Sequence, residues 1–161
     1  MNNLIIQIMI SISEVMETMF YIPVEPRDGL IAFEESGLPG PDRLEAATIT
    51  FHGMFSGTIE LIIPSSLLMI MTENFMGEKR QHLTQKHLEG TLKETLNMLA
   101  GNTFSKVDSQ SSFCLGVPEL NTSAIKNIDA SREHESRIHY TAPLFVVDTL
   151  DGPMGIKVNV N

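Results

Sequence analysis

The stretch His82 to Asn102, HLTQKHLEGTLKETLNMLAGN, constrains this chain more than any other. Leu88, Leu92, Leu96 and Leu99 recur at i, i+4, i+8 and i+11, a spacing that lays one apolar stripe along an α-helix and requires a core to receive it. At about 100° per residue, Glu94 and Asn97 fall roughly 60° apart and nearly opposite the leucines, so a carboxylate and an amide point into solvent side by side. Gly90 and Gly101 share that polar face. A glycine inside a helix costs about 1 kcal/mol against alanine, and the close approach of another surface is one reason to keep it. Gly101 could equally end the helix as its C′ residue, and an exposed Glu/Asn pair is also what an ordinary solvated face displays.

A second helix is expected at 4 to 21, where Ile5, Ile8, Ile12, Val15, Met16, Met19 and Ile22 keep to one side, with Glu14 and Glu17 on the other. Tyr21-Ile-Pro-Val-Glu-Pro26 ends it, because the residue before a proline is pushed out of the α region. The Gly- and Pro-rich stretch up to Arg43 reads as loop with a short extended piece near Leu30 to Phe33. Ala47 to Phe51 and Gly57 to Ile63 read as a β-hairpin, the second strand alternating Thr58 and Glu60 on a wet face with Ile59 and Leu61 on a buried one. Ser65 or Ser66 offers an N-cap for a helix Leu67 to Met76 that Gly77 closes. Downstream, 112 to 117 reads as a strand ending at Pro118. Residues 119 to 137 read as a connection or a poorly marked strand. His139 to Thr149 and Met154 to Val160 form a second hairpin around Asp151-Gly152.

Read this way the chain is one domain that repeats itself, about 1–76 and 82–161. The expected fold class is α/β of the α+β kind, an antiparallel sheet from two helix–hairpin halves covered by the two long helices. Ser13-Glu14-Val-Met-Glu17-Thr-Met-Phe overlays Lys93-Glu94-Thr-Leu-Asn97-Met-Leu-Ala, so the first helix carries the same surface pair with Glu17 where the second has Asn97.

Composition closes several other routes. A formal charge of −9 repels a phosphate backbone or an anionic membrane surface, so neither nucleic acid nor membrane is an expected partner. The single cysteine, Cys114, sits in an apolar run where a buried, inert thiol is the default; it cannot form a disulfide within the chain and points to a reducing, cytoplasmic setting. The apolar Leu4 to Ile12 lacks a basic flank and is too short to span a bilayer. His52, His82, His87, His134 and His139 fall in no metal-ligand spacing, and there is no Gly-rich phosphate loop or nucleophile elbow, so no metal or cofactor is expected on this chain.

The Glu/Asn pair therefore stands alone as candidate chemistry. Neither side chain is a nucleophile of the usual kind. An amide can still orient a water through its donor and acceptor, a carboxylate one turn away can pair with a partner's cation, and phosphoryl transfer depends mostly on such positioning.

Glu94-Thr-Leu-Asn97-Met-Leu-Ala-Gly101, followed by Phe113-Cys-Leu-Gly-Val-Pro118, resembles the E-x-x-N helix and downstream strand-proline of the CheC/CheX chemotaxis phosphatases, CheX above all. The resemblance implies hydrolysis of the aspartyl phosphate of a response-regulator (CheY-like) receiver domain. Asn97 would place the water, Glu94 would dock the receiver's lysine, Gly90, Gly101 and Pro118 would border the partner, and Mg²⁺ would be held by the receiver. Glu17 in place of an Asn implies one working site per chain, the CheX pattern, and CheX-like proteins pair sheets as homodimers. Met154 to Val160, with few charges, is the strand expected to offer an edge for such pairing. The competing expectation is a non-catalytic module that keeps the fold and docks a receiver or another signalling protein through the same helix.

Overall fold

In the computed structural model, the described residues are 2–107, 112–121 and 142–161. The chain runs α1 (Asn2–Met19), β1 (Glu25–Pro26), β2 (Leu44–His52), β3 (Gly57–Pro64), α2 (Ser65–Met76), α3 (Gln85–Val107), β4 (Cys114–Leu115), β5 (Glu119–Leu120), β6 (Phe145–Thr149) and β7 (Gly152–Val160), with 3-10 turns at Phe33–Glu35 and Arg80–His82. All strands join one antiparallel sheet in the order β1-β6-β7-β3-β2-β4, with β5 also paired to β2. The order is symmetric about the β3–β7 pair. Each long helix is followed by a short strand that joins the other half's hairpin: β1 after α1 pairs with β6, and β4 and β5 after α3 pair with β2.

Both long helices lie on one face of the sheet. Leu4, Ile8, Ile12, Val15, Met16 and Phe20 of the first half and Leu88, Leu92, Leu96, Leu99 and Phe104 of α3 meet Ile49, Phe51, Ile59, Leu61, Ile63 and Ile156 in a single core. Burying each such side chain contributes about 1.5–3 kcal/mol, which explains why the leucine spacing carries so much structural information. The α1 stripe differs slightly from expectation. Met19 is partly exposed and Ile5 only half-buried, while Leu4 and Phe20 take the inner positions. Asn74 Nδ2 donates to the Phe20 carbonyl at 2.7 Å where α1 ends, and Tyr21 turns the chain with a φ of 57°, an exposed non-glycine residue in the left-handed region.

The opposite face of the sheet departs from expectation. Glu60 is only 6% exposed rather than wet, because Leu38, Leu44, Ala46, Ile62, Leu144 and Val146 form a smaller second core there, with Ile31 and Phe33 packed against it, and Asn121 Nδ2 donates to Glu60 Oε1 at 2.7 Å. Helix α2 starts at Ser65 with Pro64 as its cap residue and no cap hydrogen bond from its own side chains. Asp42 Oδ2 instead accepts the Ser66 N–H at 3.1 Å and the Ser66 hydroxyl. Gly77, at φ 65°, closes α2 as expected.

The expected 112–117 strand is two short pieces. Leu115 lies opposite Phe51 and Glu119 opposite Thr48, so the edge carries one extra residue between them, and Pro118, with no N–H to give the ladder, sits in that break. Cys114 is exposed on β4, not buried as its apolar neighbours suggested. The second hairpin turns at Leu150-Asp151, with Thr149 opposite Gly152, whose φ is 123°. Residues 139 to 141 of its first strand and most of 119 to 137 lie outside the described residues. Strand β7 is interior only in part: Gly155 and Ile156 pair with β3 on one side and β6 on the other, while Lys157 to Val160 pair with β3 alone among the described residues, so the expected edge of Met154 to Val160 shrinks to its C-terminal end. Among the described residues the outer strands are two-residue pieces, one of them containing Pro26, which present little ladder for another sheet to join. No described helix is long and apolar enough to cross a membrane.

Candidate functional site

Helix α3 is fixed at three levels. Its N-terminus is closed by a reciprocal box in which the His87 N–H donates to Thr84 Oγ1 at 3.4 Å and the Thr84 N–H donates to His87 Nδ1 at 3.2 Å. The leucine stripe binds its inner side to the sheet. Near its C-terminus Phe104 stacks on Phe51 and Phe113, with ring centroids 4.6 Å apart in each case, and Phe55 stands edge-on to both Phe51 and Phe113. The helix runs unbroken through Gly101 to Val107, so Gly101 is an interior residue and not the terminator its type allowed.

On the outer side of this immobilised helix, Gly90, Glu94, Asn97 and Gly101 are all exposed. They form one stripe about 16 Å long at 1.5 Å per residue, a carboxylate and an amide flanked by a glycine one turn before and one turn after. A Cβ on either glycine would have nothing within 4 Å, so neither is required by packing among the described residues. Neither Glu94 nor Asn97 has a hydrogen bond or ion pair among the described residues, and the charge and the amide dipole face water unopposed. Pro118, expected to border a partner, is buried in the break between β4 and β5.

The first-half pair is arranged differently. Glu14 is engaged by Lys106 Nζ from the last turn of α3, and Glu17 is exposed beside it. No group of three His, Cys, Asp or Glu among the described residues could hold a metal ion. Sequence reasoning missed two features that bear on the site: the Thr84–His87 cap, whose signal was a threonine three residues before a side chain able to reach back, and the Lys106–Glu14 pair, which spans 92 residues and leaves no local signal.

Comparison with solved structures gives the same architecture over the whole length. A CheC-like chemotactic protein from Shewanella oneidensis superposes with a TM-score of 0.70 at 16% identity, covering 100% of each chain. The chemotaxis protein CheX from Vibrio vulnificus gives 0.67 at 14% identity over 98% of this chain and 96% of that one. The CheX of Borrelia burgdorferi, solved as a complex with CheY, BeF3 and Mg²⁺, gives 0.62 at 14% identity over 98% and 97%. At these identities the likeness establishes the fold. No curated protein sequence matches the chain. The family described as chemotaxis phosphatase CheX matches residues 46–141, more than half of the chain and including all of α3, and on that match the chain belongs to the CheX family of chemotaxis phosphatases.

Proposed function

We propose that this protein hydrolyses the aspartyl phosphate of a response-regulator receiver domain, with the outer stripe of α3 as its half of a shared active site. The observation that carries the reading is a Glu94/Asn97 couple with no hydrogen bond or ion pair among the described residues, on the outer side of a helix packed into the core and between two glycines whose side-chain positions nothing described there fills. A side chain already bonded within its own fold would have to break that bond to serve a partner; among the described residues these two have none to break. Gly90 and Gly101 let a partner's backbone come close on both sides of the pair.

In this reading the amide of Asn97 accepts from and donates to the attacking water, holding it in line with the phosphorus. Positioning of this kind lowers the barrier without covalent participation by the protein. Glu94 pairs with a lysine of the receiver, fixing the register of the two surfaces through a charge-assisted hydrogen bond. In this reading Mg²⁺ would be held by the receiver, as the resemblance to the CheC/CheX phosphatases implies, and would neutralise charge on the phosphoryl oxygens. The Borrelia protein's capture with CheY, BeF3 and Mg²⁺ supports a receiver as the partner. A sheet-edge dimer would have to use the Lys157 to Val160 end of β7, since Gly155 and Ile156 are paired on both sides.

The test is phosphate release from phosphorylated receivers with wild-type protein and with Asn97→Ala. Acceleration by the wild type that Asn97→Ala loses supports the reading. Equal decay with both, alongside intact binding, would replace it with a docking module that does not hydrolyse.

A further inference from the structure

Beneath the exposed stripe, on the inner side of the same helix, a continuous run of hydrogen bonds leads from the cap into the turns that carry the pair. Thr84 and His87 exchange bonds at the N-terminus. The Thr91 hydroxyl donates to the His87 carbonyl at 3.0 Å, and the Thr95 hydroxyl donates to the Thr91 carbonyl at 2.7 Å. Those two carbonyls also serve the helix's own i→i−4 pattern, so each accepts twice. Thr91 is 3% and Thr95 0% exposed. At sites so buried a valine of the same shape would add apolar surface to the core and leave no hydroxyl to satisfy, so exchanging the two residues separates the hydroxyl's bond from its packing. A hydroxyl that bonds back to the i−4 carbonyl shifts the helix axis locally. Thr95 lies between Glu94 and Asn97 in the chain, and Thr91 one turn before Glu94.

The first-half helix has no such run. The positions matching Thr91 and Thr95 in the repeat are Ser11, whose buried hydroxyl has no partner among the described residues, and Val15, which has no hydroxyl. The back-bonds α1 does contain, Ser13 to Met9 and Thr18 to Glu14, fall at other positions, outside its fully buried side. Helix α2 holds a single buried back-bond of the same kind, from the Thr72 hydroxyl to the Leu68 carbonyl at 2.7 Å, so among the described residues it is the consecutive run anchored on a cap, and not the individual bond, that marks the helix with the free pair.

We infer that Thr91 and Thr95 are positioning residues for Glu94 and Asn97: their back-bonds, anchored on the Thr84–His87 cap, set the local course of α3 that aims the water-holding amide. The inference rests on the proposed phosphatase reading and adds the element that makes the pair's geometry productive.

The experiment uses Thr95→Val and Thr95→Ser in the full chain, with phosphorylated receiver as substrate, and measures kcat, KM and thermal stability together. Thr95→Val is expected to be at least as stable as wild type, with KM unchanged and kcat lower by roughly tenfold, since small displacements of a positioning group carry large kinetic effects. Thr95→Ser, which keeps the hydroxyl and loses the methyl, is expected to be less stable and to retain its kcat. A purely structural threonine would reverse this order, valine active and serine impaired, and that result would overturn the inference. Asn97→Ala measured alongside separates the two levels. If it is inactive while Thr95→Val turns over like wild type, the ladder has no role in aiming and the proposed function stands. If Asn97→Ala itself is fully active, the proposed function falls, and the ladder inference with it.

Discussion

Helices α1 and α3 bury nearly the same pattern and expose different chemistry. Both lay an apolar stripe on the same face of the sheet, and both carry a glutamate at the corresponding outward position, Glu14 and Glu94. On α3 the flanking positions are Gly90 and Gly101; in the first half the corresponding residues are Ile10 on α1 and Tyr21 just beyond its end, both exposed, the latter at a φ of 57°. Glu14 is already held by Lys106, while Glu94 is held by nothing among the described residues. The fold thus tolerates either surface over the same interior, so burial explains the architecture and only the outer positions can distinguish a working face from a silent one. The difference is of the kind a contact surface makes: smooth and, among the described residues, unpaired against bulky and internally paired.

The largest expected break in this comparison is Asn97→Ala against Glu17→Ala. The first should lower receiver dephosphorylation on the order of 10²-fold or more with the fold and receiver binding intact; the second should change neither, as read by phosphate release and circular dichroism. Next comes Glu94→Ala, which should weaken the complex by about tenfold or more through loss of a bond to a charged group, measured by titration calorimetry. Glu14→Ala should leave binding unchanged and shift stability by less than about 1 kcal/mol, since a solvent-exposed ion pair contributes little.

Transplanting the silent face sharpens the contrast further. Gly90→Ile with Gly101→Tyr should make the protein more stable by about 1 kcal/mol in sum, because glycine is the poorest ordinary residue inside a helix, while receiver binding falls. Stability rising as binding falls would show that the glycines serve the partner. Thr84→Ala should cost about 1 kcal/mol of stability through loss of the α3 cap, seen as a lower denaturation midpoint.

The smallest effect lies away from both faces, in the Arg27–Asp148 pair that ties β1 to β6 through bonds of 2.6 and 2.7 Å. The Arg27 hydrogen bonds hold the Asp148 carboxyl below its usual range. A carboxylate with a lowered folded-state pKa contributes stability that is fully present above its unfolded value, about 3.9, and is lost as pH falls through the folded value. Both partners are partly solvated, so the contribution is about 1 kcal/mol or less. Asp148→Asn should remove that increment at neutral pH and narrow its gap to wild type below about pH 3, in chemical denaturation at a series of pH values.

Much of this was legible from local spacing. The leucines of α3 and the hairpin alternation at Ile59 and Leu61 state their burial within a few residues, and Glu94 and Asn97 follow from the same helical geometry by lying opposite the leucines. What escaped depended on distant residues. Glu60 is buried because Leu38 and Leu144 bring a second core to its face of the sheet, and Cys114 is exposed because its two-residue strand lies at an edge. Strand β7 is interior in part because a hairpin from the other half lies beside it. The burial of Pro118 likewise follows from the register of β4 and β5 against β2, which its own neighbours in sequence do not state. Strand β1, at two residues, is too short to leave a periodic signal.

The central claim is that the outer stripe of α3, and not its counterpart on α1, meets the receiver. Amide NMR spectra of the labelled protein, recorded while beryllofluoride-activated receiver and Mg²⁺ are titrated in, test it directly. The account predicts that perturbations concentrate at Gly90, Glu94, Asn97 and Gly101, with Ile10, Glu14, Glu17 and Tyr21 left in place. Perturbation centred on the α1 residues, with the α3 stripe unmoved, would contradict it.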